Sequence, residues 1–222
     1  MPESNPKQER KGRRRKEARP AELVDAAFSL FLEKGFAATR IEDVAARAGV
    51  GKGTLYLYYQ SKEQLLQAAV EQLLLPRFGD LQALIADPEL SAAEQLDRVL
   101  GLLWNHASAS GLSGLPKLMI GECHNFPSLA RQFVERWIAP VQDQVLRKIL
   151  QRGIARGEFS VSDPEYAVRC IAGGFVFLFI WGHSLADFDQ RGFDPERQRT
   201  AWMEMIRSGL GLAPTTAEEA LA

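Results

Sequence analysis

The sequence predicts an all-α protein, with a short N-terminal unit of three helices followed by a larger helical domain. Apolar residues recur at helical spacing, and hydroxyl or acidic residues that suit helix N-termini precede these segments. No segment alternates convincingly between apolar and polar residues as a half-buried strand does, and no Asn-Gly or Asp-Gly pair marks a tight hairpin turn. With 222 residues, 46% of them hydrophobic, the chain is long enough to bury a core.

Residues 1–19 are a basic segment, with eight Lys or Arg against three Glu, whereas residues 20–222 have a net negative charge. We expect a flexible arm whose positive charge suits contacts with the phosphates of a nucleic acid. A tail that only improves solubility is the alternative. Residues 213–222 are expected to form a disordered tail.

Helix boundaries follow from turn and capping residues. The first helix is predicted to begin at Pro20 and to end at Gly35. Three further starts are predicted where a hydroxyl residue precedes Glu or Gln by three positions: Thr39 with Glu42, Ser61 with Gln64, and Ser91 with Glu94.

The C-terminal half contains two more capping signals. Asp163-Pro164 and Asp194-Pro195 predict helices over about 164–182 and 195–208, because each pairs an N-cap acid with a first-turn proline. Between the two halves we expect a long helix over about 127–152, bent or split at Pro140.

The segment 39–62 predicts two short helices that cross at a steep angle. Val44 faces inward on the first helix, and Gly49 takes the left-handed conformation that ends it. On the second helix, Leu55 and Tyr59 are four residues apart and would fix it to the core. Lys52 and Tyr56 would then share the outer face.

These outward side chains suit the major groove of DNA. Lys52 would donate to guanine or to phosphate, Thr54 would contact a base edge, and Gly53 would let the backbone approach the duplex. Phenolic and hydroxyl groups and further cations would bind phosphates. The predicted DNA contacts are Thr39, Arg40, Lys52, Gly53, Thr54, Tyr56, Tyr58 and Lys62.

Residues 20–66 resemble the DNA-binding domain of the TetR (AcrR-type) family of regulators. The motifs that carry this resemblance keep the family's order and spacing: Gly35-Phe-Ala-Ala-Thr39, Ile41-Glu-Asp-Val-Ala45, Ala48-Gly-Val50, Gly53-Thr-Leu-Tyr56 and Ser61-Lys-Glu-Gln-Leu65. The resemblance implies a helix-turn-helix domain, and it implies that residues 67–212 form a helical domain that binds a small-molecule effector and dimerises.

The helix predicted over 164–182 is apolar on all sides from Cys170 to Trp181, so we expect a partner chain to cover one side. Gly173-Gly174 would allow close approach of another helix. The long helix, with apolar residues from Phe133 to Ile149, is the expected companion in a four-helix dimer interface. A core within a single monomer is the alternative.

Helices over about 92–124 are expected to line the effector pocket. The candidate pocket residues are Trp104, Met119, Glu122 and Phe175. Because Glu122 would share a face with Met119, it needs a buried partner, which would be either a cationic ligand beside Trp104 or an internal group. An apolar or aromatic effector is the accompanying expectation.

No metal site, cofactor or catalytic residue is expected. His106, Cys123 and His124 are scattered, and Cys123 and Cys170 are predicted to be free buried thiols. No stretch has the pattern of a secretory signal, and the longest uncharged apolar stretch, 170–182, is too short to cross a bilayer. We therefore expect a cytoplasmic protein without membrane contacts.

The sequence thus favours a repressor that binds an inverted-repeat operator on double-stranded DNA as a homodimer and is released by a small-molecule effector. An activator, or a regulator controlled by a protein partner, would have the same DNA-binding unit. An enzyme or carrier built on a helical bundle is the alternative from another class, but no nucleophile motif or phosphate-binding loop supports it.

Overall fold

A computed structural model describes the backbone of residues 6–212 and the side chains of residues 19–72 and 78–212. Over these residues the chain is helical, without strands, which confirms the all-α prediction. It divides into two compact units, residues 1–73 and 74–222. This division falls inside the fourth helix, whereas the sequence predicted it at residue 66. The tail predicted at 213–222 lies outside the described residues.

The helices are named here in chain order. They are α1 (Pro6–Lys34), α2 (Ile41–Arg47), α3 (Lys52–Tyr56), α4 (Lys62–Ala86), α5 (Ala92–Ser110), α6 (Leu115–Glu122), α7 (residues 127–155), α8 (Pro164–Ser184) and α9 (Pro195–Gly209). Helix α7 is a continuous run that begins with Pro127–Phe133 and ends with Arg147–Ala155.

Helix α1 begins earlier than predicted. It runs from Pro6 and contains Pro20 in its interior, so the basic segment from Pro6 onward is helical. Its role as a flexible arm that contacts DNA stays a prediction. Lys, Arg, Gln and Glu, which make up most of this segment, are good helix formers. Their propensity offsets the hydrogen bond that Pro20 cannot donate. Residues 1–5 lie outside the described residues.

The start of α2 also differs from the prediction. Arg40, not Thr39, is the N-cap, and the Asp43 carboxylate accepts a hydrogen bond from the Arg40 backbone N–H at 3.2 Å. Thr39 is buried, and its hydroxyl donates to the Gly35 carbonyl oxygen at 2.7 Å. The Thr39 hydroxyl therefore closes the turn after α1 and does not cap α2 through Glu42.

The turn between α2 and α3 has the predicted geometry. Gly49 has a φ of 65°, in the left-handed region that ends a helix without a Cβ clash. Val44 of α2 and Leu55 of α3 are both fully buried, so each helix is anchored in the apolar core of this unit. The opposite side of α3 faces solvent.

Capping in the second unit is as predicted. The Ser91 hydroxyl accepts from the Glu94 N–H, and the Glu94 carboxylate accepts from the Ser91 N–H at 2.9 Å. Asp163 caps α8 through the Tyr166 N–H, and Asp194 caps α9.

In the first unit, half of the capping box predicted at Ser61 is present. The Ser61 hydroxyl accepts from the Gln64 backbone N–H, but the Gln64 amide oxygen accepts from the backbone N–H of Gln60 and not from that of Ser61.

Pro140 neither splits α7 nor ends it. Two π-helical turns, Val134–Ile138 and Gln142–Leu146, flank the short α-helical segment that contains Pro140. A π turn widens the helix by one residue, which gives the backbone around a proline room to continue. The C-terminal part of α7 then packs into the core, where Val145 and Ile149 are buried.

The core of the second unit is built from α5, α7 and α8 with residues of α4 and α9 against them. Helix α8 buries Val168, Ile171 and Leu178 on one side. At Gly174 an added Cβ would lie 2.2 Å from the Trp202 indole nitrogen, so this glycine lets α9 pack closely on α8. The close approach predicted for Gly173-Gly174 thus occurs at Gly174, within the protomer.

Candidate DNA-binding surface and effector cavity

The exposed side of α3 is the candidate DNA-binding surface. Leu55 anchors the helix in the core, which leaves Lys52, Gly53 and Tyr56 exposed, with Thr54 half-buried between them. The structure therefore brings these four predicted residues together on one short helix. Its backbone begins at Gly51, whose extended conformation is that of an N-cap.

Lys52 has a partner that the sequence reasoning did not anticipate. Its ammonium forms an ion pair with the Glu42 carboxylate of α2, and both side chains are more than half exposed. The hydrogen bond from Lys52 lowers the pKa of Glu42, and the same contact raises the pKa of Lys52. The ammonium also lies 5.8 Å from the centroid of the Tyr56 ring. In the DNA-free protein, Glu42 therefore holds the principal cation of α3.

Two further ion pairs fix α2 on α1. The Arg47 guanidinium donates to both carboxylate oxygens of Glu33, one at 2.7 Å, and the Lys34 ammonium lies 2.5 Å from an Asp43 oxygen. These contacts are exposed, so each stabilises the fold only slightly. Together they restrict rotation of α2 about its anchor at Val44, and α2 in turn supports α3.

Two predicted phosphate ligands are committed to the protein's own backbone. Thr39 is 2% exposed, which contradicts the predicted phosphate contact through its hydroxyl. The Lys62 ammonium donates to the carbonyl oxygens of Phe36 at 2.8 Å and Ala37 at 3.0 Å, and lies 4.6 Å from the Phe36 ring centroid. Lys62 thus holds the turn between α1 and α2. A DNA contact by Lys62 stays a prediction.

The segment after α3 adds an exposed apolar residue that the sequence reasoning missed. Tyr56 and Tyr58 are each 37% exposed, whereas Leu57 between them is 80% exposed. Tyr59 is half-buried, and burial raises the pKa of its phenol. An exposed leucine beside basic and phenolic side chains suits an apolar contact such as a thymine methyl. Because Leu57 follows the last residue of α3, the helical spacing in the sequence did not indicate its exposure.

A cavity of about 300 Å³ lies within the second unit. Helices α4, α5 and α7 each contribute one face to it, and ten residues line it: Phe78, Leu81, Leu102, Leu103, His106, Arg136, Trp137, Pro140, Val141 and Gln144. The α7 residues keep the spacing of one helix face across the π turns. This is the candidate effector site.

None of the four predicted pocket residues lines this cavity, so their role in effector binding stays a prediction. Trp104 is buried, stacks on Phe179 with ring centroids 5.0 Å apart, and donates its indole N–H to Glu196 at 2.7 Å. Phe175 meets Phe179 edge to face at 4.8 Å. These aromatic residues belong to the packing of α5 against α8 and α9.

For Trp104 and Glu122 the structure favours internal partners, which the sequence analysis gave as the alternative to a cationic ligand. The Arg199 guanidinium already lies over the Trp104 ring, 5.9 Å from its centroid. Glu122 is half-buried and accepts a hydrogen bond from the Asn125 amide at 3.1 Å, at the end of α6. Met119, on the same helix, is buried in the core. Internal groups therefore satisfy the site, which was the alternative.

The two cysteines are free thiols but not buried ones, contrary to the prediction. Cys123 is half-buried and Cys170 is exposed. Within the described part of the chain, no three His, Cys, Asp or Glu side chains come together in a group that could hold a metal ion.

An exposed apolar surface, here called the α8–α9 face, covers one side of the second unit. Tyr166, Cys170, Gly173 and Phe177 follow helical spacing on α8, and Met205 is next to them on α9. Tyr166 is 59% exposed, Phe177 56% and Met205 75%. A shallow groove lined by both Cys170 and Met205 joins the two helices.

The long helix is not the second component of this face. Trp137 and Val141 of α7 line the cavity, and Val145 and Ile149 are buried in the core, so its apolar side faces the protomer's interior. Among the described helices, α8 is also long and apolar enough to span a membrane by length and composition. A helix that is buried inside a folded protein can have the same length and apolar composition as a membrane-spanning helix, so these two properties alone are weak evidence for a span.

Helix α3 is short, faces solvent and presents a cation, a glycine and phenols, and α2 supports it across a glycine turn. This arrangement is that of a helix-turn-helix DNA-binding protein. Comparison with known proteins gives the family. Residues 23–69 match the model for bacterial regulatory proteins of the tetR family, and residues 94–201 match the C-terminal domain of AefR-like transcriptional repressors. The chain belongs to the TetR family of transcription regulators.

Individual relatives agree with this assignment. The uncharacterized HTH-type transcriptional regulator YdeS of Bacillus subtilis is 29% identical over 188 residues, covering 81% of this chain and 88% of YdeS. The HTH-type transcriptional repressor KstR2 of Mycolicibacterium smegmatis is 28% identical over 157 residues, covering 64% of this chain and 68% of KstR2.

A solved structure gives the same fold. The transcriptional regulator FadR from Bacillus subtilis, in complex with stearoyl-CoA, superposes with a TM-score of 0.68 at 20% identity, covering 85% of this chain and 98% of FadR. The likeness confirms the predicted fold class, an N-terminal helix-turn-helix unit followed by a larger helical domain.

Proposed function

We propose that this regulator is a cytoplasmic repressor that binds an inverted-repeat operator on double-stranded DNA as a homodimer and leaves it when a small-molecule effector binds. The observation that carries the DNA-binding part is the exposed patch of Lys52, Gly53 and Tyr56 on a helix whose other side is anchored by Leu55. Arg40, Thr54, Leu57 and Tyr58 would extend the contact to neighbouring bases and phosphates.

The α8–α9 face supports the dimer. A monomeric protein rarely exposes several large apolar side chains on one contiguous surface. A second copy that packs the same face across a two-fold axis would bury Tyr166, Phe177 and Met205 in a four-helix arrangement. Two DNA-binding units related by that axis would read two half-sites in successive major grooves.

The effector part is supported by a cavity of the second unit, the one between α4, α5 and α7, and by two similar proteins. KstR2 is described as a repressor, and FadR is described with bound stearoyl-CoA. An effector releases DNA only if it binds one conformation of the dimer more tightly than the other. We infer that occupation of the cavity between α4, α5 and α7 shifts the dimer toward the conformation that does not fit the operator.

An activator, or a regulator controlled by a protein partner, would use the same DNA-binding surface. A reporter fused to the regulated promoter in a deletion strain distinguishes the outputs. Derepression on deletion supports the repressor, and loss of expression supports the activator.

The experiment that tests DNA recognition is a selection of genomic fragments bound by the purified protein at moderate and higher salt. We expect a short inverted repeat, because a two-fold dimer presents two identical reading surfaces. Lys52→Ala should weaken binding to that repeat by about 1–3 kcal/mol for each half-site where the ammonium binds a base edge. Lys148→Ala, which removes an exposed lysine from α7, is the matched control. Sequence-independent binding by the wild type, or an equal decrease in affinity for both variants, would contradict the proposal.

A further inference from the structure

The walls of the effector cavity are apolar except at three residues. Aromatic and aliphatic side chains from α4, α5 and α7 supply most of the surface, among them Phe78, Leu103 and Trp137. The polar residues are His106 on α5, with Arg136 and Gln144 on α7. A ligand in this cavity therefore has to be largely apolar, since most of its surface would find no hydrogen-bond partner.

The charge of the lining has one sign. Arg136 is a cation, and none of the residues that the structure places around this cavity is Asp or Glu. A cationic ligand would meet no carboxylate here and would lie near a guanidinium. An anionic ligand would meet a guanidinium, whose planar set of donors suits a carboxylate.

The position of Arg136 gives the ligand a direction. Arg136 is solvent-exposed although it lines the cavity, whereas Leu102 and Leu103 are half-buried and Leu81 is buried. Arg136 therefore lies at the solvent side of the cavity, and the more buried apolar walls lie deeper. A molecule with one charged end would keep that end hydrated and paired at Arg136 while its apolar body fills the interior.

We propose that the effector is an amphipathic anion, an apolar compound with a single terminal carboxylate, held with its carboxylate at Arg136. This inference rests on the proposed function of the cavity as the effector site. The volume of about 300 Å³ lies at the lower end for a small-molecule site, which favours a compact or medium-chain body.

The test compares three probes built on ten-carbon chains: decanoate, decanol and decyltrimethylammonium, each below its solubility limit and below any concentration at which it forms micelles or aggregates. Calorimetry with the full-length dimer measures their affinities. We expect decanoate to bind most tightly, decanol more weakly, and the ammonium compound not at all. Arg136→Gln should weaken decanoate binding by about tenfold or more, because it removes a hydrogen bond to a charged group. The affinity of the Arg136→Gln variant for decanol should equal that of the wild type.

Two controls define the outcomes. Arg131→Gln removes an exposed arginine of the same helix outside the cavity and should leave all affinities unchanged, whereas Leu103→Trp should fill the cavity and abolish binding of both decanoate and decanol. Equal affinity of the wild type for decanoate and decanol, tighter binding of the ammonium probe, or no effect of Arg136→Gln would overturn the proposal.

Operator binding is measured on the same preparations. If the wild type binds its inverted repeat but not decanoate, the ligand class is wrong and the regulator stands. If decanoate binds at Arg136 but no specific DNA is bound, the anion site stands and the proposed function is wrong.

Discussion

Gly53 is the second residue of α3, and a glycine is by itself an unfavourable residue in a helix. An added Cβ at this position would meet no atom of the protein within 4 Å, so the fold leaves room for a methyl group. Any requirement for a glycine at this position would therefore come from outside the protein. A duplex whose backbone comes close to α3 would supply it, since Gly53 is exposed on the same surface as Lys52.

Gly53→Ala should therefore separate stability from DNA binding. We expect the free energy of unfolding to stay the same or rise by up to about 1 kcal/mol, because alanine is the better helix former. Operator affinity should fall because the methyl group blocks close approach. Thermal unfolding and fluorescence anisotropy with a labelled operator measure the two effects. Gly79→Ala, at an equally unobstructed glycine of α4, is the control. Unchanged affinity of the Gly53 variant would show that the DNA backbone does not approach this residue.

If Lys52 contacts DNA as proposed, Glu42 would compete with the duplex for its ammonium. Its carboxylate pairs with the Lys52 ammonium, and its lowered pKa keeps it ionised at neutral pH. Near a duplex the same carboxylate would also repel phosphates. Glu42→Gln should therefore raise operator affinity, while stability changes little because the ion pair is exposed.

The matched control for this variant is Glu33→Gln, which removes the same charge from the same unit but releases Arg47 instead of Lys52. Anisotropy titrations at two salt concentrations would compare the variants. An equal gain in affinity for both would mean that only net charge matters, and no gain for Glu42→Gln would mean that the pair does not limit Lys52.

At the scale of elements, α6 is tied to the end of α8. The His183 imidazole is 2.8 Å from the Ser113 hydroxyl just before α6, and the Lys117 ammonium of α6 donates to the His183 carbonyl oxygen. Burial lowers the pKa of His183, and the nearby Lys117 charge lowers it further. These contacts between α6 and α8 therefore favour the neutral form of the His183 imidazole.

This tie predicts a pH dependence. Because the folded-state pKa of His183 lies below its ordinary value of 6.5, the unfolded chain binds more protons once the pH falls below about 6.5. Stability should therefore decrease as the pH falls through that window. His183→Gln keeps a hydrogen-bonding side chain and should reduce this decrease. Thermal unfolding between about pH 5 and 7.5 measures it. The same slope in the variant and the wild type would contradict the assignment.

Local signals predicted those elements whose capping residues are close in sequence. Asp163 and Asp194 cap helices that begin at the next residue, because an acid followed by proline leaves few other conformations. Pro20 gave the wrong start for α1, since the strong helix propensity of the preceding residues outweighed one missing hydrogen bond. At Thr39 a tertiary contact decided the outcome, since its hydroxyl donates to the Gly35 carbonyl.

At the scale of the whole molecule, the two sites differ in how far they could be predicted. The DNA-binding surface depends on residues within 20 positions of one another, so the spacing of Leu55 against Lys52 and Tyr56 was enough to orient α3. The cavity joins three helices that are distant in the sequence. Trp104 lies outside this cavity, and its partner Glu196 is 92 residues away, so no local pattern indicates where its side chain packs.

The α8–α9 face makes a prediction about assembly. Phe177→Glu should shift the dimer toward monomer, because a two-fold interface would bury the new carboxylate twice without a partner. The fold should persist, since Phe177 is already 56% exposed. Operator affinity should fall with dimerisation, because a monomer binds only one half-site.

Sedimentation velocity and anisotropy on the same samples measure assembly and binding. Val134→Glu is the matched control, since Val134 is an apolar residue of α7, 52% exposed, outside this face. The control should remain dimeric and keep its operator affinity. A dimeric Phe177→Glu protein would place the interface elsewhere. A monomer that retains full operator affinity would instead separate DNA recognition from dimerisation, and the inverted repeat would then need another explanation than a two-fold dimer.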